Sequence, residues 1–483
     1  MTAPSDSRPI DPAHSAAVRD AVAAAASNDL ELVRFLYADH GGVIRGKAAT
    51  AEFLPERIES GIGHTVAMMA MTMLDTLQPV EGMSPVGEVR IKPDPATLVA
   101  LPYAPGAGAM LADLVKPDGD PWEACSRTFL KQAMAELASE GYEMTAAFEP
   151  EFTVGRRVPD PGGGPDHLAP LDDSLCYSAT GFHQAHDYVL DVIRALNAQG
   201  LRVEHYYPEL GHGQQEISIR YAPALRAADN HVLYRETVRG VAFRHGLWAS
   251  LAPKPIATQA GNGTHIHASL VAVSGDRADA AADAGAVGRR PAFADPSDQY
   301  GLSKTGYYFI GGLLAHLPAL VALTCGSVNS YRRLQPQFWS SAYTVYGMDN
   351  REAAVRICSA LQGDPDSSVH LELKPSDSSA NPYLALGALI HAGLDGIRRQ
   401  VDPGPAVNVD PATLSEAERA AVGALRLPRT LTEALDALAA DDLLTKALGP
   451  LRSAAYHAVK RAEAATFAER GAEFECFQHF LRF

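Results

Sequence analysis

The chain has 483 residues, of which 47% are hydrophobic and 20% are charged, and its formal net charge is −16. A chain of this length exceeds one ordinary hydrophobic core, so we expect more than one globular domain. The negative charge argues against a nucleic acid or an anionic membrane as partner, because both favour a basic protein face.

Cysteine usage and apolar runs predict a cytoplasmic protein. The five cysteines are widely spaced and form no Cys-x-x-Cys pair, so we expect neither a disulfide framework nor a zinc site, and a reducing compartment fits best. The N-terminus carries Asp6 and Asp11 and lacks the continuous apolar segment of a secretory signal. The most apolar stretches, Thr65–Leu74 and Gly311–Cys325, are too short to span a bilayer.

The N-terminal part of the chain predicts a tail and a small β-rich domain. Residues 1–30, rich in Ala, Ser, Asp and Pro, are interpreted as a tail with a short helix, and residues 31–115 as the N-terminal domain. Apolar runs between turn residues predict its strands, which are Leu32–Leu36, Val43–Lys47, Val89–Ile91 and Leu98–Leu101. A break rich in Pro and Asp at Lys116–Pro121 follows.

Residues 121–483 form the predicted second domain. Apolar residues at helical spacing from Trp122 to Ser139, followed by Gly141, predict its first helix. Residues 272–300, rich in Ala, Asp and Gly, are interpreted as a surface insertion, and the last hundred residues are predicted to be mostly helical. The other predicted elements are the helices His183–Ala198 and Asn230–Trp248 and the strands Thr145–Val154, Val203–Glu209, His265–Leu270, Ala353–Ile357 and Val369–Lys374.

Acidic and histidine side chains recur within the strand-like segments. Residues two apart on a strand point to the same face, so Glu149 and Glu151 point together, as do His265 and His267. Several carboxylates with one imidazole suit a hard divalent ion such as Mg²⁺ or Mn²⁺, which also holds nucleotide phosphates. A single Glu-x-Glu is more often a solvated strand face, but the combination predicts phosphoryl-transfer chemistry.

The order of several short segments is more specific than any one of them. The segments are Glu149-Pro150-Glu151-Phe152, Glu209 with Gly213-Gln214-Gln215-Glu216, Pro253-Lys254-Pro255, Gly261–His267, Asn329–Leu334, Asn350-Arg351 with Val355-Arg356-Ile357, and Ala380–Leu384. In this order they resemble the motifs of the glutamine synthetase family. The resemblance extends from about Leu32 to the C-terminus.

The resemblance implies an α+β fold, with an N-terminal β-grasp domain and a catalytic domain built on a curved antiparallel sheet with helices. It also implies a hexameric ring or a dodecamer of two rings, with active sites between neighbouring subunits. The implied reaction passes the γ-phosphoryl group of ATP to the γ-carboxylate of glutamate, and an amine then displaces phosphate. Transfer between two anions requires the dense positive charge that metal ions and arginines supply.

The resemblance assigns roles in metal binding and catalysis. Two or more Mg²⁺ or Mn²⁺ ions are implied. One is held near the acid substrate by Glu151, Glu209 and Glu216. Another is held near the ATP phosphates by Glu149, His265 and Glu372. Arg351 and Arg356 are expected to neutralise the transferring phosphoryl group. Arg333 is expected to bind the carboxylate of the acid substrate, for which a planar guanidinium is suited.

Further residues are assigned to the substrates by the same resemblance. His267 and Ser269 are expected near the nucleotide, and Tyr221 on its adenine side. Gly261 is expected on the side of the acid substrate. Lys374 is also expected on that side, at a position where the family has an arginine. Lysine keeps the positive charge but cannot make the two parallel hydrogen bonds that a guanidinium makes to a carboxylate.

The departures from the family concern the amine. Ammonia-using members carry an Asp-Gly-Ser-Ser loop whose aspartate helps to bind ammonium, but residues 61–66 contain no acid and include His64. Trp339 stands where those members carry a glutamate that closes over the site. The loss of two carboxylates and the gain of an indole favour a larger or more apolar amine, unless Trp339 only packs a shortened loop and His64 or a water replaces the missing acid.

We therefore predict a γ-glutamyl–amine ligase that uses an amine other than ammonia, with L-glutamate as the acid because Arg333 is retained. Three alternatives remain open. The first is an ammonia-using glutamine synthetase with a remodelled site, and the second is a ligase for a different carboxylic acid, motivated by Lys374. The third is a glutamine synthetase-like protein that binds or assembles without catalysis, against which the retained metal ligands and arginines argue.

Overall fold

The computed structural model describes residues 12–162, 166–273, 289–364 and 368–483. These residues form two β-sheets covered by helices, which is the mixed α and β architecture that the sequence predicts. Part of the predicted insertion, residues 274–288, lies outside the described residues, as do residues 1–11.

The first sheet lies in the N-terminal part of the chain and has six strands. They are β1 (Leu32–Ala38), β2 (Ile44–Thr50), β3 (Ile62–Thr65), β4 (Glu88–Pro93), β5 (Val99–Ala100) and β6 (Ala107–Val115). The order across the sheet is β2-β1-β6-β4-β3, with β5 beside β6, and β1 runs antiparallel to β2 but parallel to β6. The four predicted strands are confirmed, whereas β3 and β6 are additional; β6 begins with Ala and Gly, which carry little strand signal.

Strand β1 places its side chains in two different cores. Val33 and Phe35 are fully buried in the N-terminal core, while Leu36 and Ala38 lie in the large core of the second domain. Because successive strand residues point to opposite faces, one short apolar strand ties the two domains together.

Two helices belong to the N-terminal domain, α1 (Pro12–Ser27) and α2 (Leu54–Ser60). Ala21 and Ala25 of α1 are buried in the same cluster as the β1 residue Val33. The short helix expected near the N-terminus is therefore present, and it packs on the N-terminal core instead of belonging to a loose tail.

The second sheet has eleven strands among the described residues. They are β7 (Tyr142–Val158), β8 (His167–Pro170), β9 (Val203–Pro208), β10 (Gln214–Ile219), β11 (Ala222–Pro223), β12 (Trp248–Ser250), β13 (Thr264–Val273), β14 (Arg289–Pro291), β15 (Tyr343–Met348), β16 (Ala353–Cys358) and β17 (His370–Leu373). The main path is β15-β16-β17-β13-β7-β10-β9, and its neighbours are antiparallel except for the parallel pair β15 and β16.

Helices surround this sheet and fill the C-terminal part of the chain. They are α3 (Ser126–Ser139), α4 (Ala179–Ala198), α5 (Ala224–Arg244), α6 (Lys304–Thr324), α7 (Ser330–Arg333), α8 (Pro382–Arg399), α9 (Glu416–Ala421), α10 (Leu431–Ala440), α11 (Asp442–Leu448) and α12 (Pro450–Arg482). α12 is interrupted at Gly471, whose φ is +79°. The prediction that the last hundred residues are mostly helical is confirmed.

The predicted helix Asn230–Trp248 is wrong at both ends. α5 begins at Ala224, directly after a proline, and ends at Arg244. Gly246 then adopts φ +65°, which a helix interior does not accommodate, and Trp248 begins the strand β12. The apolar residues after Arg244 continue the helical spacing by coincidence, so periodicity alone runs past the true end of the helix.

One helix in the described part of the chain, α6, is long and apolar enough to cross a bilayer by length and composition. Within its most apolar window, 67% is buried inside the fold. Gly312 faces α8 so closely that an added Cβ would overlap the carbonyl of Ala392. These features are those of a central core helix, which accounts for its apolar composition.

The turn between β1 and β2 docks onto the second domain. Lys460 Nζ donates to the carbonyl of Gly41 at 3.0 Å, and Arg235 Nη2 donates to the carbonyl of Gly42 at 3.0 Å. Gly42 has φ +84°, and a Cβ there would collide with the backbone of Ser379. The glycine pair therefore lets the turn enter the second domain and present carbonyl oxygens to two buried cations.

Candidate active site

The pairing of five strands brings the predicted site residues onto one sheet face. Glu149 on β7 lies opposite His265 on β13, and Glu151 lies opposite Glu216 on β10. Glu372 on β17 lies opposite both His267 on β13 and Arg356 on β16. Because directly opposite residues of paired strands project to the same face, the register itself assembles the cluster.

Glu149, His265 and Glu372 form the first half of the cluster. Their ligand atoms lie within 4.8 Å of one another. His265 Nδ1 is 3.5 Å from Glu149 Oε2 and 3.1 Å from Glu372 Oε1. Two carboxylates and one imidazole fit a divalent ion such as Mg²⁺ or Mn²⁺, as predicted for the ion on the phosphate side.

Basic groups balance the charge of this first half. Arg356 Nε donates to Glu372 Oε2, and Lys374 Nζ lies 3.4 Å from Glu372 Oε1. Burial raises the pKa of Glu372, but Lys374 and His265 outweigh burial and hold that pKa well below its usual range. Burial also opposes ionisation of Glu149, yet its hydrogen bonds with His265 and His267 hold its pKa well below the usual range.

The second half consists of Glu151 and Glu216, which lie opposite each other on β7 and β10, and of Glu209, which lies between β9 and β10 and whose pKa responds to the charge of Glu151. Their neutral hydrogen-bond donors are amides and phenols. Gln214 Nε2 donates to Glu151 Oε2 at 2.6 Å, and the backbone N–H of Gly263 donates to the same oxygen at 3.1 Å. A phenol, that of Tyr207, donates to Glu216. These contacts orient the carboxylates without neutralising them.

In this second half the carboxylate pKa values of Glu209 and Glu216 are raised, whereas those of Glu149 and Glu372 in the first half are lowered. Burial, with the nearby charges of Glu149 and Glu151, raises the pKa of Glu216 well above its usual range. Burial and the charge of Glu151 raise the pKa of Glu209 to about 7. Buried carboxylates that repel one another in this way are stabilised as anions by a hard cation between them, so the oxygen donors fit the ion predicted on the acid-substrate side.

Arg333 is buried against the cluster, in space left by Gly261 and Gly263. Its Nη2 is 3.3 Å from His265 Nε2 and donates to the carbonyl of Lys374 at 3.3 Å, while its buried Nη1 has no hydrogen-bond partner within the described ranges. A Cβ at Gly263 would lie 2.5 Å from Nη2, and one at Gly261 would lie 3.2 Å from Cγ. Gly261 thus makes room for the arginine, and the free donor on Nη1 fits a substrate carboxylate.

The remaining basic residues differ in position. Lys374 is 2% exposed and directs its ammonium to Glu372, with Nζ 3.5 Å from His265 Nε2. Its positive charge therefore offsets the negative charge of Glu372 inside the cluster. Arg351 lies in the turn before β16 with an exposed side chain, unlike Arg356, which lies within the cluster.

The residues predicted near the nucleotide extend along and beyond β13. His267 Nε2 is 3.2 Å from Glu149 Oε2, so this imidazole belongs to the edge of the carboxylate cluster. Ser269 lies two residues further along the same face and donates to the carbonyl of Val369 at 3.2 Å. Tyr221 is exposed, with the guanidinium of Arg220 5.4 Å from its ring centre.

A third group of side chains continues this face where β16 ends and β17 begins. Cys358 lies opposite His370, and the His370 Nε2 atom is 3.0 Å from His267 Nδ1. Burial alone would raise the pKa of the Cys358 thiol, but hydrogen bonds from both imidazoles lower it to about 7. His267 belongs to the segment Gly261–His267, whereas Cys358 lies outside the segments that carry the resemblance.

The loop that carries Trp339 has an unusual backbone. Gln337, Trp339 and Ser341 have φ values of +63°, +57° and +66°, although none of them is glycine. The backbone N–H of Trp339 donates to Glu352 Oε1 at 2.8 Å, and its side chain is 61% exposed. The loop therefore presents the indole outward while a carboxylate holds its backbone.

This loop is attached directly to the predicted acid-substrate residue. Ser340 Oγ donates to the carbonyl of Arg333 at 2.7 Å, and Ser341 Oγ donates to the carbonyl of Ala353 at 2.7 Å. Lys254 Nζ lies 5.2 Å from the ring centre of the neighbouring Phe338. The loop is thus anchored between Arg333 and the start of β16.

His64 lies in the N-terminal sheet. It is 8% exposed, and its Nε2 is 2.8 Å from the hydroxyl of Tyr37. Burial, with the charges of Lys47 and Arg45, lowers the pKa of His64 to about 4. At neutral pH the ring is therefore uncharged and does not supply the negative charge of an ammonium-binding acid.

Several side chains that contact site residues are absent from the predicted set. Tyr207 contacts Glu216, the hydroxyl of Tyr177 donates to Glu209 Oε1 at 3.3 Å, Gln214 contacts Glu151, and Glu352 holds the Trp339 loop. Tyr207 was within reach of sequence reasoning, because β9 and β10 form a hairpin whose register pairs Tyr207 with Glu216. Glu352 carries no such signal, because its partner is a backbone atom in a distant loop.

Comparisons with known proteins bear on both domains. The family model described as the glutamine synthetase catalytic domain matches residues 123–479, and that described as the glutamine synthetase N-terminal domain matches residues 16–122. The gamma-glutamylpolyamine synthetase GlnA3 of Streptomyces coelicolor is 37% identical over 430 residues, which cover 89% of this chain and 88% of that protein. The glutamine synthetase of Halobacterium salinarum is 34% identical over 421 residues, covering 84% and 86%, respectively.

Solved structures agree with these matches over nearly the whole chain. A crystal structure of a glutamine synthase homologue has a TM-score of 0.80 at 31% identity and covers 94% of this chain and 99% of its own. A complex of GmaS with ADP has a TM-score of 0.78 at 32% identity and covers 94% and 98%, respectively.

Proposed function

The chain belongs to the glutamine synthetase family and is an ATP-dependent carboxylate–amine ligase, and from this premise we propose that it joins the γ-carboxylate of L-glutamate to an amine other than ammonia. The reaction runs through γ-glutamyl phosphate. The amine nitrogen attacks the carbonyl carbon of this acyl phosphate, the C–N bond forms, the bond from carbon to the phosphate oxygen breaks, and inorganic phosphate and the proton lost by the nitrogen leave.

The observation that carries the choice of amine is the Trp339 loop. An exposed indole lies on a loop anchored to Arg333, beside the carboxylate of Glu352. An indole offers apolar area and a π-face to an alkyl ammonium group, and a neighbouring carboxylate attracts its charge. Ammonia has no carbon to use such a surface.

The comparisons support the same choice without excluding ammonia. GlnA3, at 37% identity, is named for a polyamine product, whereas the relative from Halobacterium salinarum is named a glutamine synthetase. The alternatives are therefore an amine with a carbon chain and ammonia itself, and the panel of amines below distinguishes them.

The proposed roles of the acid and phosphate residues follow from their positions. Arg333 binds the substrate carboxylate through its free Nη1, and Arg356 and Arg351 offset the charge of the transferring phosphoryl group. Lys374 sets the charge of Glu372, so Arg333 is the better-placed group for the acid, and glutamate remains the proposed substrate. His267, Ser269 and Tyr221 are proposed to lie along the nucleotide, as the resemblance implies.

The two halves of the carboxylate cluster are proposed to hold two Mg²⁺ or Mn²⁺ ions. The six residues are Glu149, His265 and Glu372 in one half and Glu151, Glu209 and Glu216 in the other. When bound, these ions neutralise phosphate charge and lower the barrier for transfer between two anions. The protein's part is to hold the first-half carboxylates ionised through His265 and Lys374, and to orient the second-half carboxylates through Gln214 and Tyr207.

We further propose a hexameric ring or a dodecamer in the cytoplasm, as the family resemblance and the cysteine usage imply. Family relatives are typically oligomeric enzymes with small-molecule substrates. Native mass spectrometry of the purified protein distinguishes six from twelve subunits, and a monomer would contradict the proposal.

The test is a panel of amines with ATP, Mg²⁺ and L-glutamate. Separate reactions contain ammonium, a short alkylamine, ethanolamine, a diamine, a polyamine or an aromatic amine, with phosphate release and product mass measured. We expect a γ-glutamyl amide from one class of carbon-bearing amine and little glutamine. Glutamine as the main product would contradict the proposed amine, and phosphate release with another acid alone would contradict glutamate.

A variant pair links the result to the loop. Trp339→Ala should raise KM for the preferred amine by about tenfold, the scale of one lost aromatic contact, and leave KM for ATP unchanged. Phe243→Ala removes an aromatic side chain of similar exposure on α5 and serves as the matched control. An unchanged amine KM in Trp339→Ala would show that the indole only packs the loop.

A further inference from the structure

The third group on the sheet face consists of His267, Cys358 and His370. Its three ligand atoms, one from each residue, lie within 4.8 Å of one another. Cys358 and His370 face each other at the ends of β16 and β17, and His267 lies on the adjacent strand β13. The thiol is 8% exposed, and both imidazoles are partly buried.

The outer nitrogen of each imidazole has an oxygen partner that can only accept a hydrogen bond. His370 Nδ1 is 2.7 Å from the carbonyl oxygen of Ser368, so Nδ1 carries the proton. His267 Nε2 is 3.2 Å from the carboxylate of Glu149, so Nε2 carries the proton. A neutral imidazole has one N–H and one lone pair, so His370 Nε2 and His267 Nδ1 are the atoms through which these two rings would bind a cation.

His370 Nε2 and His267 Nδ1 lie 3.0 Å apart, and the sulfur of Cys358 belongs to the same group of ligand atoms. From this convergence we propose that His267 Nδ1, Cys358 Sγ and His370 Nε2 bind one transition-metal ion of the zinc class, at a site separate from the two ions of the carboxylate cluster.

The donor set selects this class of ion. Imidazole and thiolate suit Zn²⁺ and related ions, whereas Mg²⁺ and Mn²⁺ prefer oxygen. Two imidazole nitrogens bound to a tetrahedral ion at about 2.05 Å are about 3.3 Å apart, so the observed pair needs to open by only a few tenths of an ångström. Binding forms the sulfur–metal bond and releases the thiol proton to solvent.

The oxygen partners are those that metal-binding histidines use. A ligating imidazole usually donates its other N–H to a carbonyl or carboxylate, which fixes the tautomer and the ring. Here the carbonyl of Ser368 accepts from His370, and the carboxylate of Glu149 accepts from His267. The sequence predicts no zinc site because that prediction considers only paired cysteines. Here a single cysteine lies beside two histidines because their strands are neighbours in the sheet.

The experiment uses Co²⁺ as a spectroscopic probe in the whole protein. Metal is stripped with a chelator, Mg²⁺ is added to saturation to occupy the carboxylate cluster, and Co²⁺ is titrated. We expect a near-ultraviolet band from charge transfer between thiolate and Co²⁺, with the visible bands of four-coordinate Co²⁺, to saturate at one equivalent per chain. Zn²⁺ should abolish both. Visible bands without the thiolate band would mean that Co²⁺ enters only the carboxylate cluster and would overturn the proposal.

Three variants assign the band. Cys358→Ser should lose it, His370→Gln should weaken Co²⁺ binding at least about tenfold while keeping the thiol, and Cys176→Ser, which alters a partly exposed cysteine elsewhere, should keep it. Circular dichroism checks that each variant folds. A band that persists in Cys358→Ser would overturn the assignment.

A measurement on the unaltered protein covers the case in which a variant does not fold. The protein is treated with iodoacetamide in the presence of Mg²⁺, with and without Zn²⁺, and alkylation of each cysteine is read from peptide masses. We expect Zn²⁺ to protect Cys358 and to leave Cys176 unchanged. Equal alkylation of Cys358 in both samples would contradict zinc binding through its sulfur.

Discussion

The two halves of the carboxylate cluster lie on one sheet face, but different groups balance their charge. Glu372 contacts Arg356 and Lys374, and its pKa is held low despite burial. Glu216 receives a hydrogen bond from the phenol of Tyr207, and its pKa is raised. One half is electrostatically balanced by the protein, and the other depends on a cation from solution.

This difference shows that burial alone does not decide the charge state of a carboxylate. Burial raises the pKa in both halves, and the basic groups within about 4 Å determine the net direction. The same substitution, glutamate to glutamine, should therefore destabilise the metal-free protein in the first half and not in the second.

The largest expected effect concerns Glu372→Gln. It leaves the partly buried Arg356 and the buried Lys374 with one negative charge fewer, which should cost about 3–5 kcal/mol of unfolding free energy in the metal-free protein. Urea unfolding in the presence of a chelator measures this change. Glu216→Gln, the matched variant, should leave metal-free stability unchanged or raised, because it removes repulsion with Glu149 and Glu151. Equal destabilisation by both variants would contradict the comparison.

The next effect is stabilisation by Mg²⁺. An ion at about 100 times its dissociation constant should add about 2.7 kcal/mol per site, because it binds only the folded state. Thermal unfolding with increasing Mg²⁺ measures this gain. In Glu216→Gln the gain should be markedly smaller, and an undiminished gain would mean that the ion does not use this half.

A pH dependence distinguishes the second half in the absence of metal. The folded pKa of Glu209, about 7, lies above its unfolded value of 4.5, so the folded state holds the proton more tightly between these values. This contribution is complete below pH 4.5 and is lost as pH rises through 7.

Glu209→Gln removes that dependence. Relative to this variant, the unaltered protein should lose on the order of 1–2 kcal/mol between pH 5 and pH 8, a range discounted because Glu209 is only partly buried. Urea unfolding of both proteins in chelator across this pH range gives the difference. A constant difference would show that the pKa of Glu209 is ordinary.

The smallest effect concerns the phenol that orients Glu216. Tyr207→Phe should weaken Mg²⁺ binding about tenfold, because a carboxylate ligand loses its orienting hydrogen bond. Tyr206→Phe is the matched control, since that neighbouring phenol donates to Gln215 at 2.7 Å instead. Mg²⁺ titration of thermal stability measures both variants, and equal weakening would show that the effect is not specific to Glu216.

Local pattern explains why much of the site was predictable. Glu149 and Glu151, and likewise His265 and His267, were placed on common faces from the period of two along a strand, and the structure confirms both placements. The order of the motifs indicated the family. These inferences concern residues close in sequence, for which strand geometry leaves little freedom.

Other features depend on which strands become neighbours. Lys374 is predicted beside the acid substrate, and this stays a prediction; what the sequence did not indicate is the contact of its ammonium with Glu372 inside the cluster. The helix expected to reach Trp248 ends at Arg244, because Gly246 adopts a left-handed conformation that periodicity does not reveal.

The sequence by itself therefore determined the family, the two-domain α+β architecture and most of the carboxylate and imidazole groups that form the cluster. Only the tertiary structure decided which of these groups face one another: the pairing of Glu372 with Lys374, the support of Glu216 by Tyr207, and the meeting of Cys358 with His267 and His370. The physical reason is that charge balance and ligand sets depend on distances of a few ångströms between strands far apart in the chain, and no local period encodes them.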